Sequence, residues 1–260
     1  MTYQAFDLSG KVALITGGNS GIGLGMAEAV AAAGANVCLW GSNPEKNAVA
    51  LEKLKTYGTQ VAALVCDVAD EASVENSVSQ TLTEFGRIDA CFANAGVSSK
   101  PTSFLEASTA EWRRVLSVNL DGVFYTFRTV ARHMVERAKQ GDPGGRLIGT
   151  ASIAAISGAA RNEAYATTKG GLLAMVRAVA VELARHGITA NAILPGWIET
   201  AMTEGAFQSQ TFATAVKPRI PLGRWGKPED FGAIAVYLMS DASAYHTGDC
   251  IRIDGGYVLF

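Results

Sequence analysis

The stretch that decides the fold is "ALITGGNSGIGLG", residues 13–25. An apolar run typical of a buried strand leads directly into Gly17, Gly21 and Gly23, and a helical pattern follows. Glycine permits a tight turn and the close approach of a pyrophosphate, whose charge is stabilised by the amino terminus of the following helix. The spacing GxxxGxG differs from the GxGxxG of most dinucleotide folds. It does have the preceding strand and following helix that such a turn requires, so it predicts the first βα turn of a dinucleotide-binding domain.

The same strand–helix alternation continues along the chain. Near-continuously apolar runs predict seven strands, at 11–16, 36–41, 60–66, 88–94, 145–151, 189–195 and 249–254. Helical patterns lie between them, at about 21–33, 44–57, 71–85, 109–138, 163–186 and 228–240. Such strands are covered on both faces of a parallel sheet, and the alternation predicts an α/β fold with a Rossmann-like doubly wound sheet of seven strands. No linker or repeat divides the chain, so we predict a single domain over 1–260.

Composition excludes several classes of protein. The 260 residues are 48% hydrophobic with a net charge of −2, which argues against disorder and against nucleic acid as the main partner. The first residues lack the basic segment followed by an apolar run that is typical of a secretory signal. No apolar stretch is long enough to cross a membrane, so we expect a cytoplasmic protein. The four cysteines are isolated on predicted strands and the three histidines are not clustered, so we expect no metal site.

A second short stretch, "EAYATTKGG" at 163–171, carries the chemistry. Tyr165 and Lys169 share one face of the predicted helix because they are four residues apart. A free tyrosine has a pKa near 10, and an adjacent ammonium is expected to favour the phenolate. The segment 197–223 falls outside the strand–helix rhythm and mixes aromatic with polar residues, which predicts a mobile lid over a site.

These motifs together resemble the short-chain dehydrogenase/reductase family over essentially the whole chain. The matching segments occur in the family's order: "TGGNSGIG" (16–23), "CDV" (66–68), "ANAG" (93–96), "VNLDG" (118–122), the serine of "TASIAA", "YATTK" (165–169) and "PGWIET" (195–200). One departure is Ala93, which stands where the family usually has the first Asn of NNAG.

The resemblance implies an NAD(P)-dependent oxidoreductase that interconverts a secondary alcohol and a ketone by hydride transfer. By this likeness the catalytic residues are Asn119, Ser152, Tyr165 and Lys169. Tyr165 would exchange a proton with the substrate oxygen, and Ser152 would donate to the developing alkoxide. Lys169 would donate to the ribose hydroxyls of the nicotinamide half, and Asn119 would hold a water that links the lysine to solvent.

The resemblance also implies a set of cofactor-binding residues. Asp67 would contact the adenine and Thr200 the nicotinamide carboxamide. The whole expected set is Gly17, Asn19, Ser20, Gly21, Ile22, Gly23, Ser42, Asn43, Asp67, Val68, Asn94, Ala95, Gly96, Tyr165, Lys169, Pro195, Gly196, Ile198 and Thr200.

The end of the second strand bears on the choice of cofactor. An acid at this place binds the ribose 2′-hydroxyl in NAD-type dinucleotide folds, and this chain has Gly41 there. The Arg that NADP-type members often carry is also missing, with Ser42 in its place. Ser42, Asn43 and Lys46 could bind a 2′-phosphate through hydroxyl, amide and ammonium groups. The balance slightly favours NADP(H) over NAD(H).

The substrate stays open at the level of sequence. A sugar or sugar acid, a small ketone and a 3-oxoacyl thioester all fit a site with an apolar wall built from Trp197, Met202, Phe207 and Phe212. A thioester on an acidic carrier protein would need a basic surface, for which the candidates are Arg128, Arg132 and Arg137.

Two further expectations concern partners and the competing function. The resemblance implies a homotetramer that pairs through the helices at 109–138 and 163–186, and the apolar end "YVLF" (257–260) is expected at a subunit contact or near the lid. The alternative function is a non-catalytic dinucleotide-binding sensor on the same fold. Retention of Ser152, Asn119, Tyr165 and Lys169 argues against that alternative.

Overall fold

The sheet is the framework on which the site is built. The structure, a computed structural model, describes residues 4–100 and 102–259, so Phe260 of the "YVLF" end lies outside the described residues. The seven predicted strands are confirmed as β1 Val12–Thr16, β2 Asn36–Gly41, β3 Val61–Val65, β4 Ala90–Ala93, β5 Gly145–Thr150, β6 Ile188–Pro195 and β7 Cys250–Ile253. All neighbouring pairs are parallel, in the order β3-β2-β1-β4-β5-β6-β7. The order reverses at β1, which pairs with both β2 and β4, and this is where such sheets bind ligands.

Helices cover both faces of the sheet, as the doubly wound prediction requires. They are α1 Gly21–Ala32, α2 Pro44–Lys55, α3 Glu71–Phe85, α4 Thr109–Leu116, α5 Gly122–Lys139, α6 Ala154–Ser157, α7 Glu163–Leu183, α8 Glu204–Phe207, α9 Gln210–Val216 and α10 Gly232–Met239. One core cluster packs α3, α5 and α7 against the sheet, and the other packs α1, α2 and α10 against the opposite face. The predicted Rossmann-like architecture is therefore confirmed.

The predicted helix over 109–138 is found as one helical segment from Thr109 to Lys139, but its middle is not α-helical. Between α4 and α5 the chain forms one π-helical turn, Ser117–Asp121. This turn adds a residue to the helical ladder and brings Asn119 into a fully buried position, where its side chain pairs with the backbone of Val97. A turn of this kind inside a helix often marks a functional site. Val97 lies 22 residues from Asn119 in the sequence, so helical periodicity could not indicate this contact.

The cysteines behave as core residues. Cys38, Cys66 and Cys91 are buried, Cys250 is partly buried, and all four are free thiols. Burial raises the pKa of the Cys38 thiol to about 11, which makes it a poor nucleophile at neutral pH.

Residues 4–100 and 102–259 contain neither a cluster of metal ligands nor a membrane-spanning helix. Within those residues no group of three or more His, Cys, Asp or Glu side chains is placed to hold a metal ion. In the same part of the chain no helix combines the length and the apolar character needed to cross a membrane.

Candidate active site

A cavity of about 410 Å³ lies at the carboxyl ends of the strands, beside the point where the strand order reverses. It gathers nearly all the residues that the sequence predicted. Those that line it are Gly17, Asn19, Ser20, Gly21, Ile22, Ser42, Asn43, Asp67, Val68, Asn94, Ala95, Gly96, Ser152, Tyr165, Lys169, Pro195, Gly196, Ile198 and Thr200. Gly23 and Asn119 do not line the cavity; they lie behind the residues that do, and each contacts a different part of the lining.

The glycine-rich turn has the shape that a pyrophosphate needs. Gly17 and Gly21 have φ angles of 63° and 52°, in the left-handed region that favours glycine. A Cβ at Gly23 would lie 2.5 Å from Nδ2 of Asn94 and still closer to the carbonyl oxygen of Gly17. Gly23 therefore closes the turn from behind, and the turn opens at the amino end of α1. Its residues fit a dinucleotide phosphate.

The loop after β4 is tied to the glycine turn. Oγ1 of Thr16 accepts hydrogen bonds from the backbone amides of Asn94 and Ala95, each at 3.0 Å. Nδ2 of Asn94 donates to the carbonyl oxygens of Thr16 and Gly17, at 3.2 and 3.3 Å. Ala93 is buried within β4 and pairs with Thr16, so the departure from NNAG lies inside the sheet. The two edges of the cavity mouth are thus held at a fixed separation.

Tyr165, Lys169 and Ser152 meet at the floor of the cavity. Nζ of Lys169 lies 5.5 Å from the centre of the Tyr165 ring, as expected for neighbours one helical turn apart on α7. Ser152 follows β5 and hydrogen-bonds the Tyr165 phenol. Oγ of Ser152 accepts from the backbone amide of Ala154 at 3.1 Å, which leaves its own hydrogen free to be donated.

The protonation preferences differ from those expected of the pair. Burial raises the pKa of Tyr165, and the hydrogen bond from Ser152 offsets only part of that rise. Burial also lowers the pKa of Lys169, which is 3% exposed, to about 8. In the protein without cofactor, desolvation disfavours the charged form of both groups and outweighs any stabilisation of the phenolate by the ammonium. Nζ of Lys169 donates to the carbonyl oxygen of Thr150 at 2.6 Å.

Asn119 fixes the backbone of the cavity wall. Its Oδ1 accepts from the Val97 amide at 2.8 Å, and its Nδ2 donates to the Val97 carbonyl at 2.9 Å and to Oγ1 of Thr168 at 3.4 Å. Gly96 lies between this amide and the lysine, since a Cβ there would be 3.3 Å from Oδ1 of Asn119 and 3.6 Å from Nζ of Lys169. Asn119 is therefore close to the lysine, but its amide is engaged by protein groups.

One end of the cavity, where the sequence predicts the adenosine half of the cofactor, lies between β2 and α2. Asn43 caps α2 by accepting from the amide of Lys46 at 2.9 Å, and Ser42 and Lys46 line the same part of the wall. The Lys46 ammonium has no ion-pair partner among residues 4–100 and 102–259. Across the cavity, Oδ1 of Asp67 accepts from the Ala69 amide at 3.0 Å, which holds the turn after β3.

The segment 197–223 contains two short helices, α8 and α9, and its residues Ala201, Met202 and Thr203 line the cavity. Four aromatic rings pack there: Trp197 meets Phe212 edge-on at 4.9 Å, and Phe207 stacks on Trp225 at 4.2 Å. Tyr257, from the "YVLF" end, lies 6.3 Å from Trp197. Three of the four residues predicted as an apolar wall of the site, Trp197, Phe207 and Phe212, pack in this cluster and do not line the cavity, because their rings are turned toward one another. Only Met202 lines it, and that side chain is half exposed.

Several lining residues were not predicted from the sequence. They are Trp40, Cys66, Val97, Val118, Thr150, Ala151, Ala201 and Thr203. Thr150 matters most, because its carbonyl holds Lys169 and its buried Oγ1 has no hydrogen-bond partner within the described residues. Its place at the carboxyl end of β5, two residues before Ser152, is a signal that could have indicated it.

Comparison with known proteins agrees with this geometry. The family model described as Enoyl-(Acyl carrier protein) reductase, of the short-chain dehydrogenase/reductase family, matches residues 17–258. The 2-dehydro-3-deoxy-D-gluconate 5-dehydrogenase of Dickeya dadantii is 36% identical over 258 residues, covering 99% of each chain. The 3-oxoacyl-[acyl-carrier-protein] reductase of Chlamydia pneumoniae is 36% identical over 249 residues, covering 96% of this chain and 97% of its own.

A solved structure extends the comparison to the cofactor. It is a provisionally assigned NAD(P)-dependent gluconate 5-dehydrogenase from Beutenbergia cavernae, which holds NADP at low occupancy. Its TM-score is 0.91 at 34% identity, covering 98% of this chain and 100% of that one.

The chain belongs to the short-chain dehydrogenase/reductase family. It is an NAD(P)-dependent oxidoreductase that interconverts a secondary alcohol and a ketone.

Proposed function

We propose that this oxidoreductase prefers NADP(H), acts on a sugar acid and uses Tyr165 as its proton donor and acceptor. The observation that carries the proposal is the meeting of Tyr165, Ser152 and Lys169 at the floor of a cavity whose other end fits a dinucleotide. The nicotinamide supplies the hydride in reduction and accepts it in oxidation.

The protein's own residues handle the proton and the charge on oxygen. Tyr165 gives its proton to the substrate oxygen in reduction and takes it back in oxidation. Ser152 donates to the same oxygen as negative charge develops, and its bond from the Ala154 amide supports that orientation. Lys169, with a pKa of about 8, exchanges protons near neutral pH and is placed to donate to the nicotinamide ribose. Asn119 keeps Val97 and the cavity wall in place, and the water assigned to it by resemblance remains a prediction.

The proposed cofactor contacts follow the cavity from one end to the other. The glycine turn holds the pyrophosphate, and the turn after β3 holds the adenine through Asp67 and Val68. Pro195, Gly196, Ile198 and Thr200 hold the nicotinamide. The backbone N–H of Thr200 donates a hydrogen bond to Oγ1 of Thr203 at 3.1 Å, which supports a rigid contact at this end.

The preference for NADP rests on charge at the adenosine end. Gly41 offers no carboxylate to repel a 2′-phosphate, and the unpaired Lys46 ammonium lies on the same wall with Ser42 and Asn43. Fluorescence titration with NADPH and with NADH tests this preference. We expect at least about a tenfold lower Kd for NADPH, or 1.4 kcal/mol. Equal affinities would contradict it.

A pair of lysine variants makes that titration specific. Lys46→Gln should weaken NADPH binding and leave NADH binding unchanged. Lys55→Gln, at the other end of α2 where the lysine pairs with Glu52, is the matched control and should change neither.

The preference for a sugar acid rests on two sets of arginines. The three that were candidates for docking an acidic carrier are engaged within the protein: Arg128 pairs with Glu71, Arg132 with Glu75, and Arg137 with Asp89 and Asp142. Arg161, four residues before Tyr165, is exposed with a φ of 65°, and its guanidinium has no partner within the described ranges. A guanidinium without a protein partner in those ranges, close to Tyr165 along the chain, suits a substrate carboxylate.

Initial rates on two substrates test this assignment. We expect faster turnover of 2-dehydro-3-deoxy-D-gluconate than of a 3-oxoacyl thioester, and Arg161→Gln should raise KM for the acid by about tenfold. Arg185→Gln, beyond the far end of α7, is the control and should leave KM unchanged. Faster turnover of the thioester would contradict the assignment.

We further propose a single-domain homotetramer of the cytoplasm, with 197–223 as the substrate lid. Phe124 on α5 and Val181 on α7 are 41% and 82% exposed, which supports burial of these helices between subunits. The buried free thiols Cys38 and Cys91 are consistent with a reducing compartment. Light scattering after size exclusion should give four times the chain mass, and a monomer would contradict the oligomer.

A further inference from the structure

A buried amide on α2 lies outside every motif that the function uses. Asn47 is 4% exposed, and its Nδ2 donates to the carbonyl oxygens of Gly41 at 2.9 Å and Leu64 at 3.0 Å. These carbonyls belong to the last residue of β2 and the next-to-last residue of β3, so the amide ties the start of α2 to two strands at the adenosine end of the cavity.

These contacts fix the orientation of the Asn47 amide and, through it, that of the Asn19 amide. Backbone carbonyls only accept hydrogen bonds, so the NH₂ group of Asn47 must face them and its Oδ1 must face away. That Oδ1 accepts from Nδ2 of Asn19 at 2.7 Å. The remaining Oδ1 of Asn19 has one protein contact, with Oγ of Ser20 at 3.5 Å, and Asn19 lines the cavity. An acceptor is thereby presented to a ligand hydroxyl.

The two amides also occupy the space of a side chain at position 41. A Cβ on Gly41 would lie 2.7 Å from Cγ of Asn19, and still closer to its Nδ2 and to Oδ1 of Asn47. This is the position where NAD-type members of the family carry Asp. A carboxylate at position 41 therefore requires the amide pair to move from its place.

We propose that Asn47 is a positioning residue for the cofactor: it holds Asn19 over the end of β2, where the neutral amide oxygen of Asn19 accepts from a ribose hydroxyl of the adenosine half. A neutral acceptor anchors the ribose without the charge that would repel a 2′-phosphate. The inference rests on the proposed function in so far as it gives the NADP preference a structural cause.

The test is a set of cofactor dissociation constants, measured by fluorescence with NADPH and with NADH. Asn47→Ala and Asn19→Ala should each raise both constants by about five- to tenfold, the effect of one lost hydrogen bond to the ligand. Because Asn47 acts through Asn19, the double variant should bind no more weakly than Asn19→Ala alone. Asn36→Ala, which removes an amide from the opposite end of β2, is the control and should bind normally.

Additive losses in the double variant would overturn the proposal, since a merely structural role for Asn47 predicts additivity. Normal binding by Asn47→Ala would also overturn it. Asn19→Asp covers the case in which Asn47→Ala fails to fold, because it leaves both carbonyl bonds of Asn47 intact. It keeps an acceptor for the ribose but removes the donor that Asn47 needs, so NADH binding should weaken. Binding of NADH at or above the wild-type affinity would overturn the proposal.

A substitution at position 41 tests whether the amides of Asn19 and Asn47 occupy the space that a side chain there would need. Gly41→Asp alone should weaken both cofactors, because the new side chain meets the amide pair. Combined with Asn47→Ala, which frees Asn19 to swing away, it should raise the affinity for NADH relative to NADPH by about tenfold over Gly41→Asp alone. If Gly41→Asp alone raised the affinity for NADH relative to NADPH as much as the double variant does, the claim that the amide pair occupies this space would be overturned. Equal wild-type affinities would defeat only the proposed NADP preference, since the double-variant comparison does not depend on it.

Discussion

Lys169→Met should stabilise the protein and abolish its activity. Lys169 is almost fully buried, and burial lowers its pKa from 10.5 to about 8. Each pKa unit corresponds to about 1.4 kcal/mol, so the buried charge costs roughly 3 kcal/mol at pH 7. Losing the bond from Nζ to the Thr150 carbonyl offsets about 1 kcal/mol of this. Methionine has a similar length and no charge, so we expect a net gain of about 2 kcal/mol.

The gain should depend on pH in a defined direction. Below the folded-state pKa of about 8, the lysine is charged in both states and the full cost is present. Between about 8 and 10.5 the folded state binds fewer protons than the unfolded one, so wild-type stability rises with pH. The advantage of Lys169→Met should therefore shrink across this interval.

Urea unfolding without cofactor measures this prediction. The free energies of unfolding of wild type and Lys169→Met are compared at neutral pH and near pH 10. Lys55→Met, at an exposed lysine, is the control and should change stability by less than about 0.5 kcal/mol. A Lys169→Met variant that is less stable than wild type at neutral pH, or whose advantage is the same at both pH values, would refute the reasoning.

Three more predictions concern the glycine-rich turn, the hydrogen bond from Ser152 to the substrate oxygen, and proton transfer by Tyr165. Gly23→Ala should weaken NADPH binding by at least about tenfold in a fluorescence titration, because its Cβ would meet the Gly17 carbonyl and open the turn; normal affinity would contradict this. Ser152→Ala should lower kcat by about 10²–10³ in steady-state assays with Kd for NADPH unchanged; an unchanged kcat would remove its donor role. Burial raises the pKa of Tyr165 above its usual value near 10, so from about pH 6 to about pH 10 initial rates should rise for alcohol oxidation, which needs the phenolate. They should stay nearly level for ketone reduction, which needs the phenol that prevails throughout this range; an oxidation rate that does not rise would count against Tyr165.

The sheet could be predicted from the sequence because its signals are local. A continuously apolar run such as "KVALIT" is covered on both faces wherever it lies in a parallel sheet, and the predicted strand ends fall within about two residues of those found. The turn at Gly17 and Gly21 is equally local, since it depends on backbone angles that glycine alone adopts readily.

The features that escaped prediction all depend on contacts distant in sequence. The π turn contains Asn119, whose side chain bonds the backbone of Val97, 22 residues away. Asn47 looks like any polar residue of an exposed helix until the carbonyls of Gly41 and Leu64 close over it. The pKa of Lys169 follows from burial beneath Thr150, which helical spacing does not reveal.

The central claim is that Tyr165 transfers the proton in an alcohol–ketone oxidoreduction. Its most direct test is the Tyr165→Phe variant, assayed for turnover of the substrate that the wild type reduces fastest and for Kd with NADPH. We predict a rate at least about 10³-fold below wild type, with Kd within about twofold. A variant that keeps most of its rate would contradict the assignment, and a wild type that binds NADPH but turns over none of a broad panel of ketones and alcohols would contradict catalysis itself.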